Sequence, residues 1–548
     1  MATTHPILRQ HFDTNDIAFA KIDHEITVLQ ESIRALYAFR NTFTPVYSLP
    51  PEVLARIFAL IGYIPTPPVG RRTLLRQTRT SPSFHWLVAI RVSQHWRNVA
   101  LGSPSLWAHI SSTYPRPVIE RLLQLSKTIP LTVYVSHNSP RSAHFIKATL
   151  FRIRKLKLIT DIPIWNRFWS NLSSPAPLLE SLKVSISGGR SQPLPIISDS
   201  TFAGTTPLLR RLELTGGAVD VTSSLLTNLT SLKLNALFQK MSASSLLTVL
   251  RGLPHLTYLA LTDVLHPDIV ASGSSNVSLP NLESFWFSGQ LFSQDVNFLS
   301  YLSIPARSTL RFSSDASTGG AITTLSNFLR VQKAARLSDS SPPLLDSLEL
   351  YSSYRKISLV INAGHRESSD APDLVGLELA GREWRGTLEL SNNSETATLL
   401  SYLPLSSLTS FTTNCNIHVD TWINIFGSLP SLKHISASRL HACTILSAII
   451  KDFRDRASNA QLTNFVIFPR LETIELQDTH FMGILEDLVK ALQAWKNVGR
   501  GLKTLGIKEC SSMDGSTYEK LCHCVDSVMW DGPLYEADSD VHESESDD

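Results

Sequence analysis

Cysteine is scarce: Cys415, Cys443, Cys510, Cys522 and Cys524 are the only five, an odd number with no regular spacing. That excludes a disulfide framework and points to free thiols in a reducing compartment. No uninterrupted apolar run approaches the roughly 18 residues that a membrane-spanning helix needs. The first residues are broken by His5, Arg9, His11, Asp13 and Asp16, so they do not read as a secretory signal. The sequons at Asn171 and Asn228 are accordingly expected to stay unglycosylated, with the cytoplasm or nucleus as the compartment. Charge of one sign is lacking too. A net +3 over 548 residues gives no basis for a nucleic-acid partner or a membrane surface.

The signatures of catalysis are missing as well. There is no phosphate-binding glycine loop, no Gly-x-Ser-x-Gly, no His-Glu-x-x-His and no dinucleotide fingerprint. Cys510 with Cys522-His523-Cys524 is the best metal candidate, but no second closely spaced pair accompanies it, so no metal is expected. His85, His95 and His109 flank apolar helices and read as surface or packing residues. The expectation is a chain without catalytic residues or cofactor, not an enzyme. With 43% apolar and 18% charged residues, most of it can bury a core.

The densest apolar stretch runs from residue 45 to 110. Pro50 and Pro51 suit the first turn of a helix, and Val53, Leu54, Ile57, Phe58, Leu60 and Ile61 follow at three- and four-residue spacing. Such a helix is apolar over more than half its circumference. A second run puts Val92, Trp96 and Val99 on one face, with Leu106 and Trp107 beyond Gly102–Pro104. So small a unit with so many large apolar groups is expected to hide some of them against another protein. The 65–85 stretch between holds Pro65, Pro67, Pro68 and Gly70, then Arg71, Arg72, Arg76 and Arg79, a basic loop that is solvated or meets an acidic partner.

LPPEVLARIF followed by RVSQHWRNVALGSPSLW resembles an F-box, in the variant common among mushroom-forming fungi. The long 65–85 spacer departs from the compact form. The resemblance implies docking onto the Skp adaptor of a cullin–RING ubiquitin ligase, with Leu49, Pro50, Val53, Ile57 and Phe58 as expected contacts and Val92 and Trp96 beside them. Which of these face the adaptor and which hold the bundle together is left open; Trp96 and Trp107 are the readier core residues.

Ahead of this stretch, Phe19, Ile22, Ile26, Leu29, Ile33 and Leu36 alternate steps of three and four, with Lys21, Glu25, Glu31 and Arg34 off the seam. The seam is expected either to lie against the following domain or to mediate self-association through 19–36.

After residue 113 a short unit recurs: Pro, Leu, then Leu-x-x-Leu-x-Leu. It appears from Pro177, Pro207, Asn228, Pro254, Pro280, Pro343, Pro372, Pro430, Pro469 and Gly501, with weaker copies near Ile129, Ile153 and Pro305. Several successive copies lie roughly 26 to 31 residues apart. The last two apolar residues, two apart, point the same way from a strand. VIERLLQLSK, SASSLLTVLRGL and GILEDLVKALQAWK between copies have helical spacing. The units resemble leucine-rich repeats, irregularly spaced between 290 and 340 and between 440 and 469, where insertions are expected.

The expected architecture is an α/β repeat solenoid: an irregular leucine-rich-repeat-like arc, parallel sheet inside and helices outside. A small all-α F-box-like domain and an N-terminal amphipathic helix precede it. The boundaries are 1–13 for a flexible N-terminus, 14–43 for the helix, 44–112 for the F-box-like domain and 113–530 for the repeats. EADSDVHESESDD within 531–548 reads as an acidic disordered tail.

In each unit the residue between the last two apolar ones faces away from the core. Read in order, these are Lys183, Glu213, Lys233, Ala260, Trp286, Glu349, Glu378, Ser436, Glu475 and Gly506. Trp286 near Tyr258, with Glu213, Glu349 and Glu475 on the same row, has the make-up of a target-binding face: an aromatic anchor in a polar rim. The alternative is a Trp286 covered by a neighbouring loop or helix. The function expected from the resemblance is a substrate-recognition subunit of a cullin–RING ligase. A repeat scaffold capped by an F-box-like segment is the other reading.

Overall fold

A computed structural model describes residues 15–63, 84–136, 144–168, 172–188, 196–266, 276–289, 297–305, 308–315, 346–353, 356–362, 400–401, 403, 405–415, 417–438, 443–458, 467–479, 481, 483–510 and 515–532. The basic loop, the 372 copy of the repeat with Glu378, and nearly all of the acidic tail lie outside the described residues. The chain divides into two compact units, residues 1–188 with 200–209, and residues 189–199 with 210–548.

In the first unit, α1 (Asn15–Thr42) is a single helix, and α2 (Pro51–Tyr63) starts on a proline whose missing amide costs nothing there. A 3-10 turn over Phe84–Arg91 leads to α3 (Gln94–Leu101), capped by the Ser93 hydroxyl accepting from the Trp96 amide at 3.2 Å. A Pro104–Trp107 turn follows. Leu54, Phe58, Val99, Ala100, Leu106 and Trp107 are the buried set of this bundle. The Trp107 indole donates to the Ala100 carbonyl at 2.7 Å, so its one polar atom is satisfied inside the core.

The bundle runs directly into β1 (His109–Ser111), then α4 (Arg116–Leu125), β2 (Leu131–Ser136), α5 (His144–Thr149), β3 (Ile153–Asp161), α6 (Ile162–Phe168) and β4 (Ser181–Ser187). These strands pair in parallel in chain order. The 112/113 boundary read from the sequence thus falls just after the first strand. It comes late because β1 carries no Leu-x-x-Leu-x-Leu unit.

The second unit adds β5 (Ile196–Ile197), β6 (Arg211–Thr215), β7 (Ala218–Val219), β8 (Ser231–Asn235), α7 (Ala243–Arg251), β9 (Tyr258–Thr262), β10 (Val277–Ser278), β11 (Ser284–Gly289), β12 (Leu302–Ser303) and β13 (Thr309–Asp315). It continues with β14 (Ser347–Ser353), β15 (Lys356–Asn362), β16 (Ser410–Thr413), β17 (His434–Ser438), α8 (Cys443–Ser458), β18 (Thr473–Gln477), α9 (Leu485–Asn497), β19 (Thr504–Lys508), α10 (Gly515–Cys524) and β20 (Ser527–Trp530). Its sheet order is β6-β8-β9-β11-β13-β15-β14-β16-β17-β18-β19-β20, with β5·β7 and β10·β12 as small separate ribbons.

Long connections and helices between parallel neighbours give a repeat-like α/β fold. One strand breaks the pattern. β15 runs antiparallel to both β13 and β14, as the return arm of a hairpin from β14. The sheet is otherwise parallel, as the repeats lead one to expect, and β15 is the exception: the two residues between β14 and β15 are too few for a crossover, so the chain doubles back.

Burial alternates along the strands, with Leu212 and Leu214, Leu232 and Leu234, Leu259 and Leu261, and Ile474 and Leu476 buried. Leu246, Leu247 and Leu250 of α7 are buried with them. Each such leucine contributes about 1.5–3 kcal/mol relative to exposure. Strand ends repeat a backbone device. Gly216, Ala236, Asp263 and Asp478 follow β6, β8, β9 and β18 in the left-handed region. Their amides donate to Asn235, Thr262, Ser288 and Lys508 carbonyls at 3.0, 2.7, 2.8 and 3.0 Å, tying each exit to the next strand.

Candidate functional site

Two surfaces carry the residues singled out from the sequence, one in each unit. In the first unit α2 is divided lengthwise. Leu54 and Phe58, one turn apart, are fully buried, and the Phe58 ring lies 5.4 Å from that of Trp96. Val53, Ile57 and Leu60 form the adjacent stripe and are exposed, as are Val88 and Val92 on the facing segment. Pro50 is exposed, Leu49 and Trp96 half-buried. The expectation that Phe58 meets an outside partner is corrected: with no accessible surface, its ring serves the bundle core. Leu54 is its core counterpart. Of the expected contacts, Val53, Ile57 and Val92 are accessible apolar groups, and Leu60 and Val88 are accessible too.

The seam of α1 is also open. Phe19, Ile26, Leu29, Ile33 and Leu36 are exposed and Ile22 is half-buried, so no described element covers the apolar stripe that was expected either to pack on the bundle or to self-associate.

In the second unit the outward positions form one registered row. Glu213 pairs with Lys233, Lys233 with Ala260, Ala260 with Trp286, and Trp286 with Arg311. Beyond the hairpin, Glu349 pairs with Thr412, Thr412 with Ser436, Ser436 with Glu475, and Glu475 with Gly506. Lys233 Nζ lies 3.3 Å from Glu213 Oε1, both side chains partly exposed. Trp286 is half-buried, and Ala260 between Lys233 and Trp286 is fully buried despite facing outward. Large neighbours on both sides leave a methyl group no access to water.

Tyr258 sits on the same face of β9 as Ala260. Burial first, then the nearby Glu213 carboxylate, pushes its phenol above the ordinary range, while Arg311 pulls the other way. Tyr258 therefore lies near Glu213 and Arg311, Trp286 stands on the neighbouring strand, and Glu349 and Glu475 lie farther along the same row. Arg311, which the sequence reading did not include, completes the aromatic–charged cluster. Its signal was present in the weaker repeat copy from Pro305. At the far end the Glu475 stem lies over Gly506, where a Cβ would stand 3.3 Å from the glutamate Cγ.

Among the described residues no group of three or more His, Cys, Asp or Glu is placed to hold a metal ion. Cys510 and Cys524 are buried, with thiols pushed up by burial, and Cys522 is exposed. Among the described residues no helix is long and apolar enough to cross a membrane.

The fold and these two surfaces describe a repeat-like α/β protein with exposed apolar groups on α2 and an aromatic–charged row on its sheet. Compared with protein-family models the sequence matches none, and compared with curated proteins it matches none.

Proposed function

We propose that this chain is a non-catalytic recognition subunit of a cullin–RING ubiquitin ligase. The F-box-like bundle docks on a Skp-type adaptor, and an irregular leucine-rich-repeat-like solenoid presents its outward row to a target protein. The observation that carries this reading is the division of α2. Leu54 and Phe58 satisfy the core, yet Val53, Ile57 and Leu60 remain at the surface, and Val88 and Val92 are exposed in the same small unit. Leaving that much apolar area in water on so small a unit is unfavourable unless a partner covers it.

Tyr258, Trp286, Glu213, Glu349 and Glu475 are the proposed target contacts. Tethering would raise the effective concentration of the target at the conjugating enzyme, so this chain needs no bond chemistry of its own. The cytoplasm or nucleus is the proposed compartment.

Retention on an immobilised, purified Skp-type adaptor tests the reading. The wild-type chain should be retained and Ile57→Asp should not, with the two circular dichroism spectra superimposable. Failure of the wild type to be retained overturns it. The second reading, a repeat scaffold whose F-box-like bundle is only a cap, is favoured by the unbroken run from Trp107 through Ala108 into β1. It requires that the wild type not bind the adaptor.

A further inference from the structure

The seam of α1 is open apart from the half-buried Ile22, with exposure from 45% at Leu29 to 69% at Leu36 among Phe19, Ile26, Leu29, Ile33 and Leu36. α1 spans 28 residues, long enough for several heptads, but helices in water are held mainly by packing of an apolar face. A partner for this face is therefore required on energetic grounds.

The seam itself specifies what fits. In heptad register Phe19, Ile26, Ile33 and Arg40 take one core position and Ile22, Leu29 and Leu36 the other, with Phe43 in the turn just past the helix. When a second α1 is laid alongside in the opposite direction, the layers become Ile22 with Arg40, Ile26 with Leu36, and Leu29 with Ile33, with Phe19 meeting the turn residue Phe43 at the end of the other helix. Every layer is filled, and all but one are wholly apolar.

Charge decides between directions. In a parallel pair Arg40 would face Arg40 within the seam, a like-charge contact with no relief. In the opposite direction Arg40 lies against Ile22, within reach of Asp23 and Glu25 of the second copy. The first half of α1 carries Asp16, Asp23 and Glu25 with Lys21, and the second Arg34 and Arg40 with Glu31, so reversal sets the more acidic half against the more basic one. Antiparallel helix dipoles add a smaller term of the same sign. The guanidinium of Arg40 lies 5.5 Å from the Tyr37 ring on its own helix, which keeps its stem along the seam edge.

We propose that α1 pairs antiparallel with α1 of a second copy of this chain, making the protein a homodimer through residues 19–40. The pairing uses none of the residues of the exposed α2 stripe.

Sedimentation equilibrium of the full chain tests it. The expected mass is twice the 60.8 kDa of the chain. Ile26→Asp combined with Ile33→Asp should return the mass to one chain. Arg40→Glu, an exposed change that leaves the apolar layers intact, should weaken the dimer roughly fivefold, and adding Asp23→Arg should restore it. A single-chain mass at high micromolar concentration overturns the proposal, as does a dimer that survives the double aspartate variant. A dimer unchanged by Arg40→Glu overturns the antiparallel direction.

Discussion

Ile57 and Phe58 are neighbours in sequence that α2 turns to opposite surroundings. Phe58 has 0% of its surface accessible, and Ile57 has 37%. Truncating each should therefore have different consequences. Phe58→Ala removes a ring packed against Trp96 and should cost about 3–5 kcal/mol of bundle stability. Ile57→Ala should cost less than about 1 kcal/mol. Urea titration followed by circular dichroism distinguishes them, and equal losses would contradict the division of the helix.

Trp286 and Ala260 are paired across β9 and β11 on the outward row. Trp286→Ala removes the large neighbour on one side of the buried methyl and should cost about 1–3 kcal/mol, less than a fully buried tryptophan would. Its effect on target capture should be larger in relative terms, because aromatic anchors dominate recognition surfaces. Comparing the denaturation midpoint with the fraction of target retained checks both.

The phenol of Tyr258 is held above the ordinary tyrosine range by burial and by Glu213. Glu213→Gln should lower it, while costing less than about 1 kcal/mol, because the ion pair with Lys233 is partly exposed. The sign of the linkage follows from the raised value. The stability tied to the neutral phenol is fully present below the unfolded pKa and is lost as pH rises through the folded one. Tyr114, pushed up to about 12 by burial, should ionise last in an ultraviolet alkaline titration and should not shift in the Glu213 variant.

Ala236 leaves β8 with φ of 45°, a conformation that an alanine adopts at a cost of about 1–2 kcal/mol. Part of that cost returns when glycine replaces it, offset by greater freedom of the unfolded chain. Ala236→Gly should raise stability by about 0.5 kcal/mol, measurable as a higher urea midpoint. A lower midpoint would show that the exit turn is not strained.

Much of the architecture was legible because the repeats write strand positions directly. LKVSI, LRRLELT and LTSLKLN become β4, β6 and β8, and the apolar spacing of VIERLLQL, SLLTVL and LEDLVKAL marks α4, α7 and α9. The strands not anticipated depart from that code. In β16 Thr413 stands where a third leucine would, and in β15 the alternation Ile357, Leu359, Ile361 signals a strand without the leading Leu-x-x-Leu. Nothing local announces that β15 runs backwards; the direction comes from the tight connection after Ser353. Within the bundle, Phe58 and Ile57 were inseparable because α2 is apolar over more than half its circumference, so period alone cannot say which stripe the rest of the unit covers. Arg311 was missed because its repeat copy lacks the full motif.

The most direct measurement is isothermal calorimetry of the intact chain against a purified Skp-type adaptor, repeated with Val53→Asp combined with Ile57→Asp. The expected result is an equimolar complex with the wild type and affinity weakened by at least about a hundredfold in the variant, with unchanged circular dichroism. No heat of binding with the wild type, or equal affinity for both proteins, would contradict a docking role for the exposed stripe of α2.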